Sequence, residues 1–413
     1  MLRHSLSEWL ELLLQRHPTE IDLGLARVSL VAHRLGITSA GAGKPATTLV
    51  TVAGTNGKGS CVAALQALLT EAGYLVGSYT SPHLIHYNER IVINGEMATD
   101  EAICRAFEKI EAARGDTSLT YFEFGTLAAF ILMAEAGLDV AILEVGLGGR
   151  LDAVNILDAD IAIVTSIALD HSDWLGDDLD HIGAEKAAIA RAGRPLLCGD
   201  PAPVAGLVAE AEAIGAQLLV NGRDFNATAY PSLPEHRLPP NSVACALQAA
   251  TLITGLSPGE LDCRSLVRVC VPGRFQQLDV AGVPVILDVA HNPQAAQLLA
   301  LRLADKRGKL VAVVGMMADK DVVGSLSPLI PLVKAWCFCD IPEQPRAATA
   351  SNLRALLYNA GAAADCVAVC CPSPVPAFEQ GLRMVEEDDT LVVFGSFYTV
   401  GPVLETMDRS GKE

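Results

Sequence analysis

Residues 48–60 read TLVTVAGTNGKGS. The first six are apolar or β-branched, as is typical of a buried strand, and residues 61–72 continue as an apolar run with helical spacing. Between the two stand three glycines, Lys58 and Ser60. Glycines let a backbone close around phosphate oxygens with its N–H groups inward, and the start of a helix favours bound anions. The stretch therefore predicts a phosphate-binding loop between a strand and a helix.

The loop departs from the pattern G-x-x-x-x-G-K-[ST], because Gly59 separates Lys58 from Ser60. We expect Lys58 to contact the outer phosphates of a nucleotide and the Ser60 hydroxyl to reach a phosphate or a bound Mg²⁺. The alternative is an ordinary strand-to-helix connection with turn glycines. The joint presence of lysine, hydroxyl and glycines favours the phosphate loop.

The composition excludes several classes of protein. A length of 413 residues predicts two or three domains, and a hydrophobic content of 51% can fill packed sheets. The net charge of −18 disfavours nucleic acid and anionic membranes as partners, because both attract basic surfaces. Residues 1–18 lack the features of a signal peptide, and charges interrupt the apolar region 127–147. We therefore expect a cytoplasmic protein with no nucleic-acid or membrane partner. The oligomeric state is open, with a monomer as the default expectation.

The order of predicted elements indicates an α/β fold. Between residues 75 and 220 strand-like runs alternate with helical runs, which is typical of a parallel sheet covered on both faces. A proline-rich segment at 230–240 interrupts this order, and a second alternation begins after Pro272. We predict an N-terminal P-loop parallel-sheet ATPase domain with added helices at residues 1–272, and a smaller C-terminal Rossmann-like α/β domain at residues 273–413.

Three polar residues stand at the ends of apolar strands, where ligands bind in open α/β sheets. Glu144 closes a strand that is otherwise apolar, and a buried carboxylate there needs a partner such as Mg²⁺. The alternative is a helix terminus or an arginine as that partner. Ser81 and His171 follow the neighbouring strands. By itself Ser81 reads as a Ser-Pro turn and His171 as a hydrogen-bonding histidine. The company of Glu144 and the loop favours His171 as a metal ligand, and the Ser81 hydroxyl could ligate Mg²⁺ beside the loop.

Three further candidates are weaker when taken singly. Lys186 lies in a helical stretch and by itself reads as a solvated surface lysine. Arg274 suits pairing with a phosphate or a carboxylate, and Asp288, at the end of a strand, suits a ribose hydroxyl. Structural roles remain the simpler interpretation of each.

Taken together, these motifs resemble the Mur-ligase-like family of ATP-dependent amide ligases, and within it the bacterial dihydrofolate synthase/folylpolyglutamate synthases. The matching segments span nearly the whole chain, at residues 54–60, 81–84, 143–152, 169–176, 185–186, 272–275 and 288–293. The resemblance implies that ATP phosphorylates a substrate carboxylate and that the amine of L-glutamate then displaces phosphate. It also implies ATP and two Mg²⁺ ions as cofactors, and 7,8-dihydropteroate, reduced folates and L-glutamate as substrates.

The resemblance further implies roles for individual residues. The implied metal ligands are Ser81, Glu144 and His171, and Lys186 is the implied carboxylated lysine. The implied catalytic groups are Lys58, Lys186, His171 and Arg274. The implied nucleotide contacts are Gly54, Thr55, Asn56, Gly57, Lys58, Gly59, Ser60, Asn241, Arg274 and Asp288. The implied pterin and folate contacts are Asp22, Leu23, Gly24 and Leu25, with Arg27 nearby, and Tyr121, Phe122, Glu123, Phe124, Asp152 and Ala153.

The sequence departs from the family pattern at one position, and three alternative functions stay open. Val154 stands before Asn155 where the family usually has threonine, so a hydroxyl contact is absent. The alternatives are a monofunctional folylpolyglutamate synthase, a Mur-type amino-acid ligase, and a P-loop regulator that binds nucleotide without ligation. Segments 22–27 and 121–124 favour the bifunctional enzyme. The 47 residues before the loop stretch are too few for the extra domain expected of a Mur ligase of peptidoglycan synthesis.

Overall fold

The computed structural model describes residues 4–17, 22–170, 172–342 and 344–410. The chain forms two compact units, Met1–Val269 and Cys270–Glu413. The boundary predicted from sequence, after residue 272, lies three residues further along the chain than this division.

The first unit is an α/β sandwich around a sheet with the order β4-β3-β2-β5-β1-β6-β7-β8. Its strands are β1 (Ala46–Ala53), β2 (Val76–Tyr79), β3 (Ile91–Ile93), β4 (Glu96–Met97), β5 (Leu138–Glu144), β6 (Ile161–Val164), β7 (Pro195–Cys198) and β8 (Gln217–Val220). Its helices are α1 (Leu6–Arg16), α2 (Ala26–Arg34), α3 (Lys58–Glu71), α4 (Asp100–Arg114), α5 (Tyr121–Ala136), α6 (Ser172–Leu175), α7 (Leu179–Ala187), α8 (Ala205–Ile214) and α9 (Pro240–Thr254).

The second unit has a sheet with the order β13-β12-β11-β14-β10-β9. Its strands are β9 (Gln276–Val280), β10 (Val283–Asp288), β11 (Leu310–Val314), β12 (Val333–Cys339), β13 (Val367–Cys371) and β14 (Thr390–Phe394). Its helices are α10 (Pro293–Leu303), α11 (Val322–Leu326), α12 (Ala350–Asn359), α13 (Pro374–Met384) and α14 (Phe397–Ser410). The predicted two-domain α/β architecture is confirmed.

Strand pairing decides which loops meet in the first unit. β1 pairs in parallel with β5 on one side and with β6 on the other, and β2 pairs in parallel with β5. The carboxyl ends of these four strands therefore lie at one edge of the sheet. The loops that follow them, with the predicted phosphate-binding and metal-binding residues, meet at that edge.

The expectation of parallel sheets fails at one edge of each unit. β3 and β4 are antiparallel, and β9 is antiparallel to β10. Asn94 and Gly95 turn between β3 and β4 with φ of 51° and 86°, and Ala281 and Gly282 make the equivalent turn with 52° and 86°. Such two-residue turns join adjacent antiparallel strands. The Asn-Gly pair was the available sequence signal for the first hairpin.

The core of the first unit explains its most apolar segments. β1 and β5 are buried almost throughout because helices cover both faces of the sheet. Helix α5 begins with a capping box of Thr120 and Glu123 and ends at Gly137, which has φ of 62°.

In the described part of the chain, no helix has both the length and the apolar character needed to cross a bilayer.

Candidate active site

The phosphate loop leaves β1 at Gly54 and enters α3 at Lys58, three residues earlier than predicted. Gly54 has φ of 145° and Gly57 has φ of 83°, a region that favours glycine. A Cβ at Gly54 would lie 2.0 Å from Thr165 Oγ1, and one at Gly57 would lie 2.3 Å from Ser242 Oγ. Both positions therefore require glycine, and the loop delivers the N-terminus of α3, with its unsatisfied N–H groups, to the site.

The segment after β6 holds the phosphate loop in place. Thr55 N donates to Ser166 O at 2.8 Å, and Thr165 Oγ1 donates to Asn56 O at 2.7 Å. From this segment only His171 was predicted from sequence, and His171 lies outside the described residues. The hydroxyls of Thr165 and Ser166 directly follow an apolar strand, which is the signal that would have found them.

Two lysine amines share one backbone acceptor beside the loop. Lys58 Nζ donates to Gly54 O at 3.0 Å and to Thr55 O at 3.3 Å, and Lys186 Nζ donates to the same Gly54 O at 3.3 Å. Lys186 is only 4% exposed, which excludes a solvated surface lysine. Lys58 and Lys186 line a pocket with an empty volume of about 270 Å³. The other residues that line it are Gly54, Thr55, Val145, Gly146, Leu147, Gly148, Asp170 and Leu175.

The environment of Lys186 favours its neutral amine. Burial lowers the pKa of Lys186 to about 7, and the charge of Lys58 lowers it as well, whereas Asp170, Asp152 and Glu185 act in the opposite direction. At pH 7 roughly half of such amines carry no proton, against about one in three thousand for a free lysine. A neutral amine is the form that reacts with carbon dioxide, so the site suits carboxylation of Lys186.

Glu144 lies where the end of β5, the segment at Ser81 and the phosphate loop come together. It is the last residue of β5 and is 4% exposed. Its Oε2 accepts Ser81 N at 3.3 Å and would lie 3.6 Å from a Cβ placed on Gly59. Within the loop, Ser60 Oγ is buried and has no hydrogen-bond partner among the described residues. A buried carboxylate thus lies next to the phosphate loop, which itself contains an unpartnered hydroxyl.

This oxygen-rich environment fits a magnesium ion. Mg²⁺ takes one or two carboxylates together with waters and substrate phosphates, rather than a cage of protein ligands. Among the described residues no three His, Cys, Asp or Glu side chains form a metal site by themselves. Glu144 would therefore hold the ion together with serine hydroxyls and phosphate oxygens. The third predicted ligand, His171, is outside the described residues.

Arg27 joins the two predicted substrate segments. Its Nη1 lies 2.7 Å from Asp22 Oδ2, and its Nη2 donates to Asp22 O at 2.8 Å and to Glu123 Oε1 at 3.2 Å. Glu123 is buried and also accepts Thr120 N at 2.7 Å. Residues 23–25 are half-buried beside this network. The predicted segments are therefore brought together, with the Glu123 carboxylate engaged in holding them.

The aromatic residues of α5 differ in what they contact. Phe122 packs over Gly146, which lines the pocket. A Cβ added to Gly146 would lie 2.7 Å from Phe122 Cζ. The Tyr121 ring has the Arg90 guanidinium 5.6 Å from its centroid. Phe124 is 1% exposed and belongs to the hydrophobic core. Phe122 thus lies half-buried against the pocket wall, and its contact with substrate stays a prediction. The predicted substrate contact of Phe124 does not fit its burial.

Asp152 organises the glycine-rich turn after β5. Its Oδ2 accepts Gly146 N at 2.9 Å and Leu147 N at 3.0 Å, and its Oδ1 accepts Val154 N at 2.9 Å. Burial raises the pKa of Asp152 to about 6 in spite of these bonds. Ala153 and Val154 are buried, with Val154 in the hydrophobic core. Asp152 thus shapes the pocket wall, and its direct contact with substrate stays a prediction.

The start of helix α9 lies against the phosphate loop. Ser242 Oγ donates to Gly57 O at 2.9 Å, which places the preceding residue, Asn241, beside the loop. Asn241 Nδ2 donates to Asp200 Oδ1 at 3.2 Å. Asp200 and Ser242 were missed from sequence, although Asp200 follows the apolar β7 as directly as the predicted residues follow their strands.

In the second unit Arg274 and Asp288 form one local structure. Asp288 ends β10, and its two oxygens accept Phe275 N and Ala290 N, each at 2.8 Å. Burial raises the pKa of Asp288, and the positive charge of Arg274 opposes that shift. The Arg274 guanidinium lies 4.7 Å from the centroid of the Phe397 ring. The structure therefore brings these two predicted nucleotide contacts together.

Comparison with known proteins decides the family. The Mur ligase middle domain matches residues 52–195, and the glutamate ligase domain of Mur ligases matches residues 273–397. The dihydrofolate synthase/folylpolyglutamate synthase of Escherichia coli (strain K12) is 45% identical in an alignment 423 positions long, which covers 98% of this chain and 97% of that protein. The chain belongs to the dihydrofolate synthase/folylpolyglutamate synthase family.

Solved structures of this family agree with the fold. E. coli FolC in complex with DHPP and ADP has a TM-score of 0.91 at 43% identity, and the match covers 100% of this chain and 99% of that one. A bifunctional folylpolyglutamate synthase/dihydrofolate synthase with Mn, AMPPNP and L-glutamate bound has a TM-score of 0.89 at 41% identity, with 99% of each chain covered. The chain is thus an ATP-dependent ligase of folate metabolism, and the predicted family resemblance is confirmed.

Proposed function

We propose that this protein joins L-glutamate to 7,8-dihydropteroate, forming dihydrofolate, and extends reduced folates with further glutamate. The observation that carries the proposal is the pocket lined by Lys58, Lys186 and Gly54 of the phosphate loop. Phe122 packs against its wall at Gly146, and Glu144 lies next to Gly59 of the same loop. These groups suit the binding of phosphate, a metal ion and an aromatic substrate close to one another. The bifunctional name of the E. coli relative favours this reading over a monofunctional synthase.

The reaction needs charge neutralisation and positioning. A carboxylate oxygen of the folate substrate attacks the γ-phosphorus of ATP, the bond to the bridging oxygen breaks, and ADP leaves. The amine of glutamate then attacks the acyl carbon, loses a proton and expels phosphate as the amide forms. Lys58 and the N-terminus of α3 neutralise the charge that develops on the phosphoryl oxygens. Glu144 would hold a magnesium ion near the phosphate loop, and that ion would supply further positive charge.

Lys186 has a different role in this proposal. A second ammonium beside Lys58 would be repelled by it, and burial makes that repulsion more costly. Carboxylation converts the buried amine into an anion, which removes the repulsion and adds oxygen atoms to the site. We further propose that the protein binds two Mg²⁺ ions, is a monomer and is located in the cytoplasm.

Gly146→Ala is expected to raise the KM for 7,8-dihydropteroate about tenfold while changing the KM for ATP less than twofold. The new methyl group would lie 2.7 Å from Phe122 Cζ and would push that ring out of position. Steady-state kinetics with each substrate varied in turn measures the effect. Gly259→Ala is the matched control, because the added methyl group would have no atom of another described residue, its two chain neighbours aside, within 4 Å. Equal changes in both KM values would contradict a role of Phe122 in pterin binding.

The proposed function is tested by phosphate release from ATP in the presence of Mg²⁺ and L-glutamate. Parallel reactions contain 7,8-dihydropteroate or tetrahydrofolate, and mass spectrometry follows the folate product. Glutamate-dependent release with one added glutamyl unit on both substrates is the expected result. Release with tetrahydrofolate alone would establish a monofunctional folylpolyglutamate synthase. Nucleotide binding without release on either substrate would overturn the proposal.

A further inference from the structure

We propose that Asp200 is a positioning residue, which fixes the amide orientation of Asn241 and so makes the nucleotide site select adenine over guanine. This inference rests on the proposed function and on the predicted contact of Asn241 with the nucleotide. Asp200 itself need not touch the ligand.

Asp200 connects two parts of the nucleotide site. It lies two residues after the end of β7 and is half-buried. Its Oδ2 accepts Ile167 N at 2.8 Å, in the segment that holds the phosphate loop, and its Oδ1 accepts Asn241 Nδ2 at 3.2 Å. One carboxylate therefore ties the loop after β6 to the start of α9.

The hydrogen bonds around Asn241 allow one orientation of its amide. An ionised carboxylate only accepts hydrogen bonds, so the Nδ2 of Asn241 must face Asp200. On the other side Asn221 Nδ2 lies 3.5 Å from Asn241 Oδ1 and also donates to Gly199 O at 3.0 Å. Both neighbours specify the same orientation, in which the Asn241 oxygen accepts and its nitrogen donates.

The fixed amide retains binding capacity that suits adenine. After these two bonds Asn241 keeps one N–H donor and one carbonyl lone pair, and it is half-buried beside the phosphate loop. Adenine offers the complementary pair, with N7 as acceptor and the 6-amino group as donor. Guanine offers two acceptors, N7 and O6, so its O6 would face the Asn241 oxygen. The orientation set by Asp200 therefore favours adenine.

The isosteric variant Asp200→Asn tests this directly in the full chain. Its new amide can still accept from Ile167 N, but it can also present a donor to Asn241, whose amide is then free to turn over. We expect ADP to bind about tenfold more weakly, and the ratio of ADP to GDP affinity to fall about tenfold, as for loss of one bidentate base contact. Isothermal titration with ADP and with GDP measures both values without relying on turnover.

A double variant separates orientation from simple structural support. In Asp200→Asn/Asn221→Asp the donor and acceptor neighbours of Asn241 exchange sides, so the Asn241 amide is paired again in the reversed orientation, at the cost of the bond from residue 221 to Gly199 O. We expect the double variant to melt at or above the temperature of Asp200→Asn while the preference for ADP stays lost. Asp139→Asn is the control, because Asp139 also accepts a backbone N–H, from Leu75, but at the opposite end of β5.

Two results would overturn the inference while leaving the proposed function intact. One is an unchanged ratio of ADP to GDP affinity in Asp200→Asn, and the other is recovery of that ratio in the double variant. A wild-type chain that binds neither nucleotide would instead overturn the proposed function and the inference together.

Discussion

Glu144→Gln is expected to lower kcat/KM by at least about 10³-fold while leaving the fold intact. Glutamine has the same shape and can still accept Ser81 N, but it lacks the charge that a magnesium ion requires. Because the side chain is buried, loss of its charge removes a desolvation cost and is not expected to unfold the protein. Glutamate-dependent formation of ADP measures activity, and circular dichroism on heating measures stability.

The Glu144 experiment needs a control and a magnesium titration. Glu135→Gln replaces an exposed glutamate on the preceding helix α5 and is expected to be fully active. Glu144→Ala should be as inactive as Glu144→Gln, since both lack the carboxylate. Near-normal activity of either Glu144 variant at low Mg²⁺ would remove this residue from the metal site.

Lys186→Ala is expected to lose at least about 10²-fold in kcat, with partial recovery on adding formate or acetate. The reason is that a small carboxylate can occupy the space that the carboxylated side chain fills beside Lys58.

Because carbon dioxide reacts with the neutral amine and the pKa of Lys186 is about 7, carboxylation is expected to be lost as the pH falls below 7. Wild-type enzyme decarboxylated at low pH should then regain activity at pH 8 with added bicarbonate.

The outcome of chemical rescue distinguishes the two roles of this lysine. Recovery of Lys186→Ala with methylammonium, and not with acetate, would assign a cationic role and contradict carboxylation. Unbranched electron density at the Lys186 nitrogen in a well-resolved crystal structure would do the same. Lys109→Ala, which removes an exposed lysine of α4, is the matched control and should need no rescue.

Local chemistry explains why much of the site was predictable from sequence. A phosphate loop needs glycines, a lysine and a helix start in consecutive positions, so residues 54–60 could be recognised without any tertiary information. Glu144 was predictable for a similar reason, because a carboxylate in an otherwise apolar strand has few explanations. The hairpin turns at Asn94 and Ala281 were missed, because the alternation of strands and helices dominates the pattern and short antiparallel edges barely alter it.

The sequence by itself determined the α/β class, the phosphate loop and the family, since these follow from local pattern and from motifs along the chain. Only the tertiary structure decided which distant residues meet. Lys186 changed from an apparent surface lysine to a buried amine sharing Gly54 O with Lys58, over a separation of 132 residues. Phe124, predicted to contact substrate, lies in the hydrophobic core. Asp200, which was not predicted, accepts hydrogen bonds from both Ile167 N and Asn241 Nδ2. Burial and the pairing of strands distant in sequence cause these differences, because they depend on the packing of the whole unit.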